Sequence, residues 1–228
     1  MLNLYVDSAL RADAEPLLAL GIFRGITTNP VLLDRAGLRE ERLRDFYRWA
    51  TAAGADEVFF QAWGETDLEL IRCARRLLDI GPQVVVKLVA SRAGVYASAT
   101  LARGGAPVLL TAVYNAQQAL LAAAAGVAYV APYLGRMSDA GRPAHDEIAG
   151  MARALRGVRS ETRILVASVR TPADVVRLAQ EGIDGFALSP AVAHDFFTEP
   201  LTDAAIDDFD RAARRVTGAP AATTNQRS

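Results

Sequence analysis

The chain is nearly without lysine, cysteine and histidine, and each shortage excludes something. A single cysteine, Cys73, cannot close an internal disulfide, which removes the stapled secreted scaffolds from consideration. Its setting, Ile71-Arg72-Cys73-Ala74, reads as part of an amphipathic helix and predicts a buried thiol rather than a nucleophile. The two histidines, His145 and His194, lie far apart, and neither joins a ligand-spaced group with cysteine or carboxylates, so no structural zinc motif is written here. An excess of either charge is missing too. With 25 basic and 26 acidic residues the net charge is -1, which leaves no footprint for nucleic acid or an anionic membrane surface. No run of about 18 apolar residues appears. The start, Met1-Leu2-Asn3-Leu4-Tyr5-Val6-Asp7, has no basic region ahead of a long apolar core. These absences lead to the expectation of a cytoplasmic protein with no metal, no nucleic-acid partner and no membrane.

What is present is an alternation. Short apolar, β-branched runs recur at Leu2 to Ser8, Gly25 to Thr28, Val58 to Ala62, Val84 to Val89, Pro107 to Val113, Tyr129 to Leu134, Ile164 to Ser168 and Gly185 to Ser189. Between them lie stretches of helical period such as Glu40 to Ala53, Asp67 to Asp79, Asn115 to Ala125, His145 to Leu155 and Ala173 to Glu181. Several close on a glycine, namely Gly54, Gly126, Gly157 and Gly182. Eight β-then-α units predict an α/β fold whose parallel sheet closes into a (β/α)8 TIM barrel, because near-continuous apolar strands need cover on both faces. An open doubly wound sheet is the main rival. Its dinucleotide-binding form is removed by the lack of Gly-x-Gly-x-x-Gly after the first strand. An additional C-terminal helix is expected over Asp203 to Val216, with Ile206, Phe209 and Val216 on one face, packed on its own barrel or on a neighbour. The expected organisation is thus one domain over residues 1–216, followed by a small, polar tail over 217–228 expected to be disordered.

Barrel chemistry gathers where strands end and the following loops begin. The strand ends here offer Asp7, then Thr27, Thr28 and Asn29, then Gln61, Lys87, Thr111, Tyr133, Ser168 and Ser189. Lys87 stands out because every other basic residue is arginine. Inside Val84-Val85-Val86-Lys87-Leu88-Val89 its ammonium faces burial, and desolvation lowers a lysine pKa toward a neutral, nucleophilic amine. Arginine cannot form a carbinolamine and then a Schiff base, so the exception points to chemistry. A lysine that snorkels at a strand end, or pairs with a carboxylate, is the plainer alternative. Asp7 is the carboxylate placed inside a strand near that rim; it could pair with Lys87 or orient a water and substrate hydroxyls. The Gln61 amide can hold a water but cannot exchange a proton as a carboxyl does. Tyr133 could serve as general acid or base, the more so if a nearby lysine lowers its pKa. Arg136, Ser168 and Arg170 are candidates for an anion site, the last two where the seventh strand exits.

Six stretches then fall into a known pattern. Tyr5-Val6-Asp7, Gly25-Ile26-Thr27-Thr28-Asn29-Pro30, Val84-Val85-Val86-Lys87, Thr111-Ala112-Val113-Tyr114, Tyr129 to Arg136 and Ala167 to Pro172 resemble the small transaldolases and fructose-6-phosphate aldolases, in the same order and spacing to about residue 216. The resemblance implies a class I aldolase-type barrel, without metal or organic cofactor, in which Lys87 forms a Schiff base with a ketose or dihydroxyacetone unit. It implies that Asp7 assists proton transfer, that Asn29 and Thr111 contact the substrate or a catalytic water, and that Arg136, Ser168 and Arg170 face a phosphate; Thr27, at the end of the second strand, is a further candidate for substrate binding.

The subfamilies differ at readable positions. Transaldolases of this type usually carry Glu at the place of Gln61, Asn near Leu109, Ser at Ala131 and Phe at Tyr133. Fructose-6-phosphate aldolases look like this chain at all four. The resemblance therefore implies an aldolase that cleaves or forms fructose 6-phosphate from dihydroxyacetone and glyceraldehyde 3-phosphate. A transaldolase, and a barrel that binds sugar phosphate without chemistry, are the alternatives. The chain departs from the family at Val31, where serine is common, and at Leu88-Val89, where the family shows Val-Pro or Ile-Pro after the lysine. Family aldolases form homo-oligomeric rings, up to decamers, in which the C-terminal helix embraces a neighbour.

Overall fold

The computed structural model describes residues 2–217. Strands and helices alternate: β1 (Asn3–Asp7), α1 (Arg11–Leu18), β2 (Phe23–Thr27), α2 (Pro30–Arg35), a 3-10 turn at Glu40–Arg42 leading into α3 (Leu43–Ala52), β3 (Glu57–Gln61), α4 (Asp67–Leu78), β4 (Val84–Val89), α5 (Arg92–Arg103) and β5 (Val108–Val113). There follow α6 (Ala116–Ala125), β6 (Tyr129–Pro132), α7 (Leu134–Asp139), α8 (Ala144–Gly157), β7 (Arg163–Ile164), α9 (Pro172–Gln180), β8 (Gly185–Leu188), α10 (Pro190–Asp195) and α11 (Pro200–Thr217). All ladders are parallel, in the order β7-β6-β5-β4-β3-β2-β1-β8. A further bridge, Val166 to Phe186, joins the two ends and closes the ring. This is the expected (β/α)8 TIM barrel, with a C-terminal helix longer than expected.

The seventh strand is less regular than the sequence implies. Its ladder covers two residues, and Leu165 and Ala167 then donate singly to the Val130 and Pro132 carbonyls, each at 2.9 Å. Ser168 turns away in a left-handed backbone conformation, φ 58°. The sixth run is shorter than expected because Leu134 opens α7. The expected disordered tail, 217–228, falls outside the described residues except for Thr217, which ends α11.

Two apolar cores result from the period-2 alternation of the strands. One face of each strand packs outward under the helices, with residues such as Val58, Phe60, Val84, Val86, Leu88 and Leu110. The other fills the barrel with Tyr5, Phe59, Val85, Leu109, Tyr129, Ala131, Leu165 and Ala187. Each inward residue has a partner two positions on that shares its wall. Tyr5 leads to Asp7, Phe59 to Gln61, Val85 to Lys87, Leu109 to Thr111, Ala131 to Tyr133 and Ala187 to Ser189, so the apolar plug carries a polar layer above it. Cys73 is buried in α4 as expected, and burial pushes its thiol pKa up.

Candidate active site

The polar layer opens into a cavity of about 570 Å³ lined by Asp7, Asn29, Lys87, Tyr133, Arg136, Ser168 and Arg170 among others. Seven of the ten residues expected from sequence meet there. The other three stand directly behind them: Thr27 touches Asp7, Thr111 touches Tyr133, and Gln61 sits beside Lys87 in the ladder.

Lys87 is 5% exposed, and its Nζ donates to the Thr28 carbonyl oxygen at 2.8 Å. Thr28 is fixed in turn, because its hydroxyl donates to the Phe59 carbonyl oxygen at 2.8 Å. Burial pulls the lysine pKa down, and the negative charge of Asp7 only partly restores it. No salt bridge joins Lys87 to Asp7 among the described residues, so the pairing that sequence left open is not formed. Asp7 accepts instead from the Thr27 hydroxyl at 2.5 Å, a short charge-assisted bond that fixes the carboxylate across the β1–β2 ladder. Asp7 is the only carboxylate lining the cavity among the described residues.

Tyr133 lies with its hydroxyl 3.0 Å from that of Thr111, its ring edge-on to Tyr114 and under the Arg136 guanidinium, 4.8 Å from the centroid. Burial raises its pKa, and the nearby charge of Asp7 adds to this; the Thr111 hydrogen bond and Arg136 pull the other way without reversing it. The phenol is therefore protonated at neutral pH. The lowering by a lysine that sequence entertained does not occur.

The side of the cavity that carries Arg136, Ser168 and Arg170 is built on tight backbone contacts. Gly135 donates its N–H to the Ser168 carbonyl oxygen at 2.8 Å. A Cβ on Gly135 would lie 2.4 Å from Arg170 Nε, 2.6 Å from the Ser168 oxygen and 2.9 Å from its hydroxyl, so only glycine lets the two loops meet. Arg170 also forms a 2.7 Å ion pair with Asp139 on α7, with both groups largely exposed. Asn29 uses its side-chain oxygen to cap α2, accepting from Leu32 N–H at 3.1 Å, and so leaves its amide NH2 as a donor. Sequence reasoning missed Arg35, a cavity-lining cation at the end of α2 with no acidic partner among the described residues. The cap-then-proline start at Asn29-Pro30 predicts a short helix there, but its exit direction cannot be read from spacing. Among the described residues there is no cluster of three or more histidine, cysteine or carboxylate groups that could hold a metal.

A closed parallel barrel with one desolvated lysine in a cavity edged by guanidinium groups has the form that the sequence resemblance implied. The match is to the Transaldolase/Fructose-6-phosphate aldolase family, over residues 4–226. A protein of Rhodospirillum centenum named "Probable transaldolase" is 36% identical over 213 residues, covering 91% of this chain and 89% of its own. A "Probable transaldolase" of Coprothermobacter proteolyticus is 32% identical over 221 residues, covering 96% and 100%. The chain belongs to this family and is an enzyme of transaldolase/aldolase type. A solved structure of mandelate oxidase with benzoyl-formic acid shares the fold, with a TM-score of 0.57 at 15% identity, covering 83% of this chain. This chain spans 65% of that chain's length. No described helix is long and apolar enough to cross a membrane.

Proposed function

We propose that the protein is a Schiff-base aldolase that cleaves fructose 6-phosphate to dihydroxyacetone and glyceraldehyde 3-phosphate, or joins a close pair of the same kind, in the cytoplasm. The observation that carries this is the buried lone lysine, Nζ 2.8 Å from a backbone carbonyl, in a cavity edged by Arg136, Ser168 and Arg170. The neutral Lys87 amine adds to the ketose C2 carbonyl to give a carbinolamine, and loss of water gives the protonated imine. As the C3–C4 bond breaks, its electron pair moves into the imine to form an enamine. The C4 hydroxyl proton passes to the Tyr133 oxygen as the phenol's own proton moves on through a water to the Asp7 carboxylate, which later returns it to the enamine carbon, and the aldehyde leaves. In the forming direction Tyr133, protonated at rest and hydrogen-bonded to Thr111, returns that proton to the new alkoxide. Enamine protonation at carbon and hydrolysis release dihydroxyacetone and regenerate the amine.

Asp7, oriented by Thr27, accepts from substrate hydroxyls and relays protons in the imine steps; Gln61 holds a water beside Lys87; Asn29 donates to the dihydroxyacetone unit. Arg136, Ser168 and Arg170 bind the phosphate. The residue pattern Gln61 with Tyr133 favours free release of dihydroxyacetone over transfer. A transaldolase reading draws on the names of the relatives and differs in needing an aldose-phosphate acceptor for turnover.

The test is borohydride trapping. With fructose 6-phosphate or dihydroxyacetone, reduction should leave a stable mass adduct on Lys87, with the N-terminal amine the only competitor. No adduct in a folded sample contradicts both enzyme readings and leaves a barrel that only binds. Turnover of fructose 6-phosphate with and without erythrose 4-phosphate then separates aldolase from transferase.

We also propose a homo-oligomer, a ring up to a decamer. None of the described residues of α11 is buried, and it presents Leu201, Ile206, Phe209 and Val216 to solvent, with Phe209 71% exposed. A helix of this amphipathic kind fits a neighbour's surface. Light scattering of the wild type and of Phe209→Asp should show a ring that falls to smaller species; a monomeric wild type contradicts it.

A further inference from the structure

The loop that carries Ser168 and Arg170 needs an anchor. It begins with Ser168 in a left-handed conformation that non-glycine residues adopt reluctantly, φ 58°, and ends where α9 starts at the Thr171 cap. It is tied down by the buried Val169 side chain, by the ion pair of Arg170 with Asp139 and by bonds at its two ends. On one side Gly135 N–H holds the Ser168 carbonyl. On the other, one oxygen of Asp174 accepts from Thr171 N–H at 2.9 Å, from the Thr171 hydroxyl at 2.9 Å and from the Arg170 N–H at 3.3 Å. The Asp174 carboxylate thus gathers the end of the loop.

The other oxygen of Asp174 is held from a different element. It lies 2.9 Å from Nε2 of His145, which stands in the first turn of α8. Both side chains are about four-fifths buried, 20% exposed for His145 and 19% for Asp174, so this contact is shielded in a way that the surface ion pairs around it are not. Burial pushes the Asp174 carboxyl up, but the hydrogen bonds from Thr171 and His145 outweigh it and hold the group below the usual carboxylate range. Asp174 is therefore the charged acceptor that the loop needs. His145 does not line the cavity. Among the described residues it hydrogen-bonds Asp174, whose remaining side-chain bonds all serve the 170–171 turn.

We infer that His145 is a positioning residue for the phosphate end of the site: by fixing Asp174 from α8 it sets where the Arg170 and Ser168 groups stand. This rests on the reading of Ser168 and Arg170 as phosphate ligands. It goes beyond that reading in naming a histidine outside the cavity on which phosphate affinity depends. The effect should be selective, because Lys87 on β4, Asp7 on β1 and Tyr133 just past β6 share no hydrogen bond or ion pair with the His145–Asp174 pair among the described residues.

The experiment uses full-length wild type, His145→Ala and His145→Gln. Glutamine keeps a side-chain N–H donor for Asp174 and acts as the rescue. Calorimetry with inorganic phosphate gives anion affinity directly, and circular dichroism melts establish that each variant folds. Steady-state kinetics compare glyceraldehyde 3-phosphate with unphosphorylated glyceraldehyde as acceptors for dihydroxyacetone. The expected result for His145→Ala is a phosphate Kd and a glyceraldehyde 3-phosphate KM weaker by about tenfold. Its kcat and its KM for glyceraldehyde stay within about twofold, and His145→Gln restores most of the loss. Equal loss on both acceptors, or unchanged phosphate affinity in His145→Ala, overturns the inference. Wild type that binds no phosphate overturns the phosphate reading beneath it, a failure visible before any variant is measured.

Discussion

The two ends of the barrel interior use the same kinds of side chain to opposite effect. At the N-terminal end, the Glu57 carboxylate accepts from Tyr5 at 2.5 Å, from Tyr129 at 2.7 and 2.9 Å on its two oxygens, and from Arg24 at 2.9 Å. Arg163 stacks over the Tyr129 ring at 4.2 Å and bonds its hydroxyl. Each charge there meets an opposite one or an aromatic face, and burial with Glu57 nearby raises the Tyr5 pKa and takes that of Tyr129 to about 12. At the C-terminal end, among the described residues, the lysine amine hydrogen-bonds only a backbone carbonyl and the Asp7 carboxylate only a hydroxyl. Strand β3 runs through both ends, with Glu57, Phe59 and Gln61 along one wall. The lesson concerns pairing rather than burial. A saturated cluster closes a barrel, whereas an undersaturated one leaves a buried lysine whose proton affinity is lowered and whose amine is free to react.

The largest effect expected from this comparison is at Lys87. Lys87→Arg keeps a cation but cannot form an imine, so turnover and borohydride trapping fall to background. Lys87→Met is equally inactive yet should melt higher than wild type at neutral pH. The sign follows from linkage: the folded lysine pKa is lowered, so the unfolded chain binds more protons between that value and 10.5. Stability rises with pH through that window and is diminished below it, a cost that methionine removes. A Lys87→Met variant less stable than wild type at pH 7 would put Lys87 in the saturated class.

Next comes Tyr133→Phe, which removes the phenol but leaves the imine site whole. Turnover should drop by about 10²- to 10⁴-fold while dihydroxyacetone is still trapped on Lys87. Gly135→Ala acts at the phosphate end. Its Cβ, 2.6 Å from the Ser168 backbone oxygen and 2.4 Å from Arg170 Nε, pushes α7 and the 168–170 loop apart, and KM for the phosphorylated acceptor should rise by about tenfold with little change for glyceraldehyde. The smallest effect on activity belongs to the other end of the barrel. Glu57→Gln orphans bonds from Tyr5 and Arg24 and should cost roughly 1–3 kcal/mol in denaturant unfolding. Its kcat/KM at 25 °C should match wild type; a large catalytic loss there would show that the two ends are coupled.

Much of this was legible in the residues, unevenly. Alternating apolar runs with polar ends define a barrel and its functional rim, because a period of two puts every second residue on the inner wall. Lys87 was legible because arginine fills every other basic position. The closure through Val166 and Phe186 was not, since a bridge of single residues has no run to announce it. Nor was the division of labour within the rim. Thr27 and Thr111 look like Asn29 in a sequence, yet they stand behind Asp7 and Tyr133, and only three-dimensional distance tells a lining residue from its support. Arg35 depends on the exit direction of a six-residue helix, and His145–Asp174 joins residues 29 positions apart. Glu57, one residue ahead of the apolar run that starts at Val58, owes its role to Tyr5 and Tyr129 arriving from two other strands.

The claim that the catalytic end is undersaturated can be measured on Lys87 itself. Because the chain has one lysine, protein grown on 13C-lysine shows a single side-chain Cε signal, and its pH titration reports that amine alone. The expected midpoint lies below 10.5 and moves back toward 10.5 on unfolding. A midpoint at or above 10.5 in the folded protein contradicts it, for Lys87 would then be as well paired as the groups that close the other end.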